Sequence, residues 1–186
     1  MKVALAEACA ERGAEVTLVA GPVSLKTHHP AIKRIDVESA GEMYQAAMTA
    51  FPSSDAAILC AAVADYRPEN ASEQKIKRET EREMTLHLVP NPDIAASLGA
   101  IKREGQVMVG FALETNDEAT HAEGKLKRKN LDFIVLNSLR DQGAGFRCDT
   151  NKITIIDNAG GVTSYPLKTK REVACDIVNK LVTLLK

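Results

Sequence analysis

The clearest pattern along the chain is an alternation between continuous apolar runs and segments with helical spacing. The runs "EVTLVAG", "DAAILCAAVA", "VMVGFAL" and "LDFIVLN" are apolar at almost every position. Strands of that kind have both faces covered, as in parallel sheets sandwiched between helices. The intervening segments carry helix punctuation. Residues 3–12 form an alanine-rich helix stopped by Gly13, and residues 39–51 form a helix capped by Ser39. Residues 91–105 form a helix with Asn91 as cap and Pro92 at the first helical position. A charged helix follows over 117–129, and a last one over 170–185. "IKRIDV" reads as a further strand, "MTLHLV" as an alternating β-arm, and "KITIIDN" with "GVTSYPL" as a hairpin across "AGG".

Strands alternating with helices predict an α/β fold: a three-layer, doubly wound, Rossmann-like, mainly parallel sheet ending in a β-hairpin and a helix. The 186 residues, 45% hydrophobic and 26% charged, with no repeat or low-complexity linker, suit one domain over 1–186. Such folds open with a strand whose glycine-rich turn meets a phosphate at a helix N-terminus. Here the first helix begins at once, so the expectation is a domain lacking that first strand and turn. A net charge of -1 argues against a general nucleic-acid binder, so any anion site is local. Cys9, Cys60, Cys148 and Cys175 are dispersed without a C-x-x-C pair, which reads as reduced thiols. No apolar run approaches the ~20 residues needed to cross a bilayer. The expected location is the cytoplasm, with no membrane partner.

Candidate chemistry gathers from the end of the second apolar run onward. Asp65 falls beyond a strand end, where open parallel sheets bind ligands, and would meet a sugar hydroxyl or a metal-bound phosphate, or merely cap a turn. Ala61 and Ala62 allow close approach to the backbone there, or simply pack. Lys75 and Lys77, two apart in an extended loop, would clamp an anion from one side, or be solvated. Lys125 and Lys129 stand at i and i+4, spaced to grip successive phosphates or to complement a helix dipole. The "NPDI" turn offers free N–H groups beside the negative Asp93, which favours a neutral base carbonyl over a second anion; an ordinary capped helix is the alternative. Phe111, at the end of "VMVGF", would pack against a base or belong to the core. His28 and His29 lack partners at zinc-ligand spacing, and no G-x-S-x-G, H-E-x-x-H, Walker or Y-x-x-x-K motif occurs.

Taken in order, "GAEVTLVAGPVSL", "AAVADYRP", "KIKR", "NPDI", "GFALETN", "KRKNLDFIVLN" and "GAGFRCDTNKITII" resemble phosphopantothenoylcysteine synthetase across essentially the whole chain. In most bacteria that ligase is the C-terminal half of a bifunctional flavoprotein that also holds a phosphopantothenoylcysteine decarboxylase. The resemblance implies activation of 4'-phosphopantothenate by CTP as an acyl-cytidylate, then displacement of CMP by the amine of cysteine. It implies Mg2+ with the triphosphate, no flavin in this chain, and a homodimer in which the "KIKR" loop orders over the site. By matching position, Asp65 would contact the nucleotide and Lys75 would be the catalytic cation on the phosphates. Pro92, Asp93, Ile94 and Ala95 would line the base and ribose pocket with Phe111 beside them, and Lys125 and Lys129 would hold the triphosphate. Leu59, Cys60 and Ala61 would supply strand-end backbone to the nucleotide, with Ala61 and Ala62 at the oxyanion. Full-length members carry a glycine-rich turn and an N-x-S-S-G-K-M-G segment upstream, so this chain is expected to be an impaired catalyst. The rival readings are an NAD(P)-binding oxidoreductase, which needs a glycine fingerprint that is not found here, and a non-catalytic nucleotide-binding module.

Overall fold

The computed structural model describes residues 1–72, 74–76, 84–114, 118–138 and 149–185. In chain order, α1 (Lys2–Glu11) is followed by β1 (Val16–Ala20), β2 (Ile32–Asp36), α2 (Ala40–Ala50) and a 3-10 turn at Phe51–Ser53. Next come β3 (Ala56–Leu59), β4 (Tyr66–Pro68), β5 (Leu88–Pro90), α3 (Ile94–Ile101), β6 (Val107–Glu114), α4 (Glu118–Arg128) and β7 (Phe133–Ser138). The chain closes with β8 (Thr150–Asn151), β9 (Ile153–Asp157), β10 (Val162–Ser164), β11 (Lys168–Thr169) and α5 (Lys170–Leu184).

The central sheet has the order β10-β9-β7-β6-β3. Within it β3, β6 and β7 are parallel, while β9 and β10 add an antiparallel edge. The α/β class, the parallel centre, the C-terminal hairpin and the last helix are therefore as the pattern predicts. The expected continuous sheet is instead divided, because among the described residues β1 and β2 pair in parallel only with each other.

The apolar runs become strands because each buries both of its faces. On one face Val107, Val109, Phe133, Val135, Ile153 and Ile155 pack against Leu5 and Ala8 of α1 and Val173, Ile177, Val178 and Leu181 of α5. On the other face Met108, Ile134, Leu136 and Ile156 meet Leu98 of α3, Ala122 and Leu126 of α4, and Phe51. Each large aliphatic side chain so buried contributes about 1.5–3 kcal/mol, and two such layers fix the sheet as a rigid support.

Capping follows the sequence at α2, where Ser39 accepts from the Glu42 N–H, and α5 adds a full capping box of Thr169 and Glu172. Three boundaries differ from expectation. The run 55–64 is strand only over Ala56–Leu59, since the alanines beyond it have no ladder partner among the described residues. The arm expected over 84–89 pairs only at Leu88–Pro90, against Tyr66–Pro68. The cap of α3 is Asp93 rather than Asn91, so Pro92 precedes the helix instead of opening it. No helix among the described residues is long and apolar enough to cross a membrane. Cys9, Cys60 and Cys175 are free thiols; Cys148 lies outside the described residues.

Candidate functional site

Because β3, β6 and β7 run in parallel, their carboxyl ends share one edge of the sheet. Beyond Leu59 the chain leaves that edge as an unpaired loop reaching Asp65, and hydrogen bonds from a distant segment hold the loop in place. The Asn91 N–H donates to the Asp65 carbonyl at 2.8 Å, and Asn91 Nδ2 donates to the Ala64 carbonyl at 2.9 Å. Arg67 Nη1 donates to the Pro90 carbonyl at 2.9 Å and to Asn91 Oδ1 at 3.1 Å. This explains the displaced cap: both ends of the Asn91 amide are engaged elsewhere. Asp93 Oδ1 takes over, accepting from the Ala96 N–H at 3.0 Å. The effect is to tie the Asp65 backbone to the residue that precedes Pro92 and the start of α3.

The start of α3 is electrically balanced. Burial pushes the Asp93 carboxyl up, but the Ala96 N–H, the Lys129 ammonium and the Ala95 N–H outweigh it and hold the group below the usual carboxylate range. Lys129 Nζ lies 3.0 Å from Asp93 Oδ2. The Lys129 N–H continues the helical ladder to the Lys125 carbonyl at 3.0 Å, so the two half-buried lysines follow one another on a single face. Gly99 makes this closeness possible: a Cβ there would collide with the Lys129 carbonyl, while Asn130 Nδ2 donates to the Gly99 carbonyl at 3.0 Å. At the far end of α3, Lys102 Nζ donates to Asp132 Oδ2 at 2.6 Å, and the same oxygen accepts from the Met108 N–H at 2.6 Å.

Asp65, Pro92, Asp93, Ile94, Ala95 and Lys129 are thus brought together, with Lys125 one turn behind. Ala61 and Ala62 line a cleft of ≈ 320 Å³ with Gly21 and Pro22 after β1 and Ser39 at the start of α2. Leu59 packs on the α3/α4 side of the sheet, whereas Cys60 and Phe111 pack on the α1/α5 side. Phe111 therefore lies across the sheet from α3 and shares only the carboxyl edge with residues 92–95. Burial pushes the Cys60 thiol up, which makes it a packing group rather than a thiolate. Lys75 is exposed and has no ion pair to a described residue; Lys77 lies outside the described residues. Arg67 and the side-chain role of Asn91 have no counterpart in the sequence reading. Their only local signal is a polar residue enclosed between Pro90 and Pro92.

The chain was compared with known proteins. The DNA/pantothenate metabolism flavoprotein C-terminal domain family matches residues 1–185. A protein of an unknown prokaryotic organism named cysteine/cysteine sulfinic acid decarboxylase is 56% identical over 100% of this chain and 51% of its own length. The coenzyme A biosynthesis bifunctional protein CoaBC of Vibrio parahaemolyticus is 45% identical over 100% of this chain and 46% of its own. The chain thus spans about half the length of the curated relatives it matches. A crystal structure of the C-terminal domain of a CoaBC protein superposes with a TM-score of 0.81 at 35% identity, covering 98% of this chain and 80% of that one. Family match, relatives and superposed fold agree, and the chain belongs to the DNA/pantothenate metabolism flavoprotein C-terminal domain family.

Proposed function

We propose that this domain joins the carboxylate of 4'-phosphopantothenate to the amine of L-cysteine, consuming CTP through an acyl-cytidylate. The observation that carries this reading is the backbone tie from Asn91, which precedes the 92–95 turn, to Asp65, which follows the carboxyl edge, together with the pairing of Lys129 to Asp93. Ligands of open α/β sheets sit at that edge. The CoaBC relative is named for coenzyme A biosynthesis, which supports the same assignment.

In the first step a carboxylate oxygen attacks the α-phosphorus of CTP and pyrophosphate departs with the electron pair of the broken P–O bond. In the second the cysteine nitrogen attacks the acyl carbon, gives up its proton, and CMP leaves. Asp65 orients the nucleotide, Pro92, Asp93, Ile94 and Ala95 line its base and ribose, and Phe111 closes the edge from the other side. Lys125 and Lys129 hold the phosphates, Lys129 exchanging its Asp93 partner for a phosphate oxygen. Lys75 is the catalytic cation that balances charge during transfer, Leu59, Cys60 and Ala61 offer backbone to the nucleotide, and Ala61 and Ala62 take the oxyanion. Mg2+ arriving with the triphosphate supplies charge neutralisation on the leaving group. The chain fits it: Asp65 is exposed and has no side-chain partner among the described residues, and Mg2+ is commonly held by one or two carboxylates plus substrate phosphates.

Tyr66, Ile76, Met84, Leu86 and Leu88 are all exposed around the β4–β5 arm, an apolar surface suited to pairing with a second copy in a homodimer. The edges of β1 and β3 left without a ladder partner fit one further parallel strand from additional polypeptide. A cytoplasmic protein fused to a decarboxylase flavoprotein domain is the expected whole. Calorimetry with CTP and with NAD, followed by an assay of amide and pyrophosphate release, tests the proposal. CTP binding without NAD binding supports it; NAD binding, or failure to bind CTP, overturns it. A version extended upstream should react faster than this chain, and equal rates would refute the role given to the added strand.

A further inference from the structure

We propose that Asn91, oriented by Arg67, is a positioning residue that sets the Asp65 loop against the start of α3; its functional meaning rests on the nucleotide site proposed above. Between Leu59, where β3 ends, and Tyr66, where β4 begins, no ladder holds the backbone. The loop is instead fastened near Asp65 from residue 91. Asn91 stands between Pro90 and Pro92, whose rings fix φ and carry no N–H. A residue before proline is itself restricted to extended backbone. The Pro90–Asn91–Pro92 segment is therefore stiff, and Asn91 is its only backbone donor. That donor goes to the Asp65 carbonyl at 2.8 Å.

The side chain adds a second tie. Nδ2 donates to the Ala64 carbonyl at 2.9 Å while Oδ1 accepts from Arg67 Nη1 at 3.1 Å. An amide is needed for this, because aspartate cannot donate to Ala64 and alanine can do neither. Arg67 in turn holds the Pro90 carbonyl at 2.9 Å, so the guanidinium fixes both the backbone and the amide orientation of the stiff segment. Asn91 thus couples two parts of the site that lie 27 residues or more apart, Asp65 on one side and Pro92 to Ala95 on the other. Binding constellations must be held to about 0.5 Å, and loops reach that only through such supports.

The test measures CTP binding, CTP-dependent turnover and amide-proton exchange on the full 186-residue chain and its variants. Asn91→Ala is expected to raise the CTP KM and Kd by about tenfold, as for loss of one or two hydrogen bonds. The KM for cysteine should stay unchanged and kcat at saturating CTP within about threefold, with the melting temperature preserved. Asn91→Asp, which keeps the Arg67 bond, should be no better than Asn91→Ala. In an Asp65→Asn background Asn91→Ala should cost less than about twofold, because the group it positions is already gone. Equal cost in both backgrounds, or unchanged CTP binding in a folded variant, overturns the proposal. Arg67→Ala should accelerate exchange of the Asn91 N–H without ligand, and unchanged exchange would refute the clamp itself. Accelerated exchange in a chain that binds no CTP would instead refute the nucleotide site and, with it, the functional role of the clamp.

Discussion

Helix α3 is held at each end by a Lys–Asp pair, and the two pairs differ in everything except their chemistry. At its C-terminal end Lys102 and Asp132 have side-chain exposures of 10% and 20%, and Asp132 also receives the Met108 N–H. At its N-terminal end Lys129 and Asp93 are 25% and 49% exposed, and Asp93 is at the same time the helix cap. The first pair is surrounded by fixed partners, so opening it would leave Lys102 only the Asn130 carbonyl and would take the carboxylate acceptor from the Met108 N–H. The second is half in water, where an ion pair contributes little and a lysine can be released at small cost. One edge of the sheet is thus built to stay closed, and the other to exchange partners.

This contrast predicts that changes at the carboxyl edge alter chemistry without altering stability, while changes at the amino edge do the reverse. The largest effect should come from Lys75→Ala, which is expected to lower amide formation by about a hundredfold or more, in line with loss of the cation that balances charge during transfer. The melting temperature should remain that of the parent; a fall of several degrees would place Lys75 in the architecture instead. Asp132→Ala should destabilise by about 3 kcal/mol, roughly 10 °C in a thermal melt, by taking the counter-ion from Lys102 and the carboxylate acceptor from the Met108 N–H. Its CTP affinity per folded molecule should be unchanged, as calorimetry well below the melt would show. Lys129→Met should change stability by less than about 1 kcal/mol while weakening CTP binding by roughly tenfold.

The smallest effect concerns acid. The Asp93 carboxyl is depressed in the folded protein, so its stabilisation is complete above its unfolded value of about 3.9 and is lost as pH falls through the folded value. Melts below pH ~4 should show the parent losing stability faster than Asp93→Asn, with a constant offset between them above about pH 5. A difference that grows towards neutral pH would contradict the assigned direction.

What the chain discloses in its own letters follows from range. β6, β7 and β9 are legible because their residues are buried on both faces whatever lies nearby. Ser39 caps α2 through a residue three positions away, a purely local matter. Asn91 misleads because its amide is claimed by Ala64 and Arg67, 27 and 24 positions distant, and only folding brings those competitors within reach. The run 55–64 reads as one strand because alanine and valine are apolar in any setting, but a strand also needs a neighbour, and beyond Leu59 none is present among the described residues. Within the candidate site, Asp65 and residues 92–95 are legible as motifs, whereas the clamp joining them is not. Phe111 belongs to the right edge, yet which face its ring occupies is decided by the pleat of β6.

Gly99 bears on how far this site can be altered by design. Since a side chain there would strike the Lys129 carbonyl, the spacing between α3 and the end of α4 acts as a measured length, and the Lys129 ammonium reaches Asp93 only at that length. A redesign that enlarged residue 99 would act as a longer spacer, moving the Lys129 ammonium away from Asp93 without changing the identity of any residue named in the site.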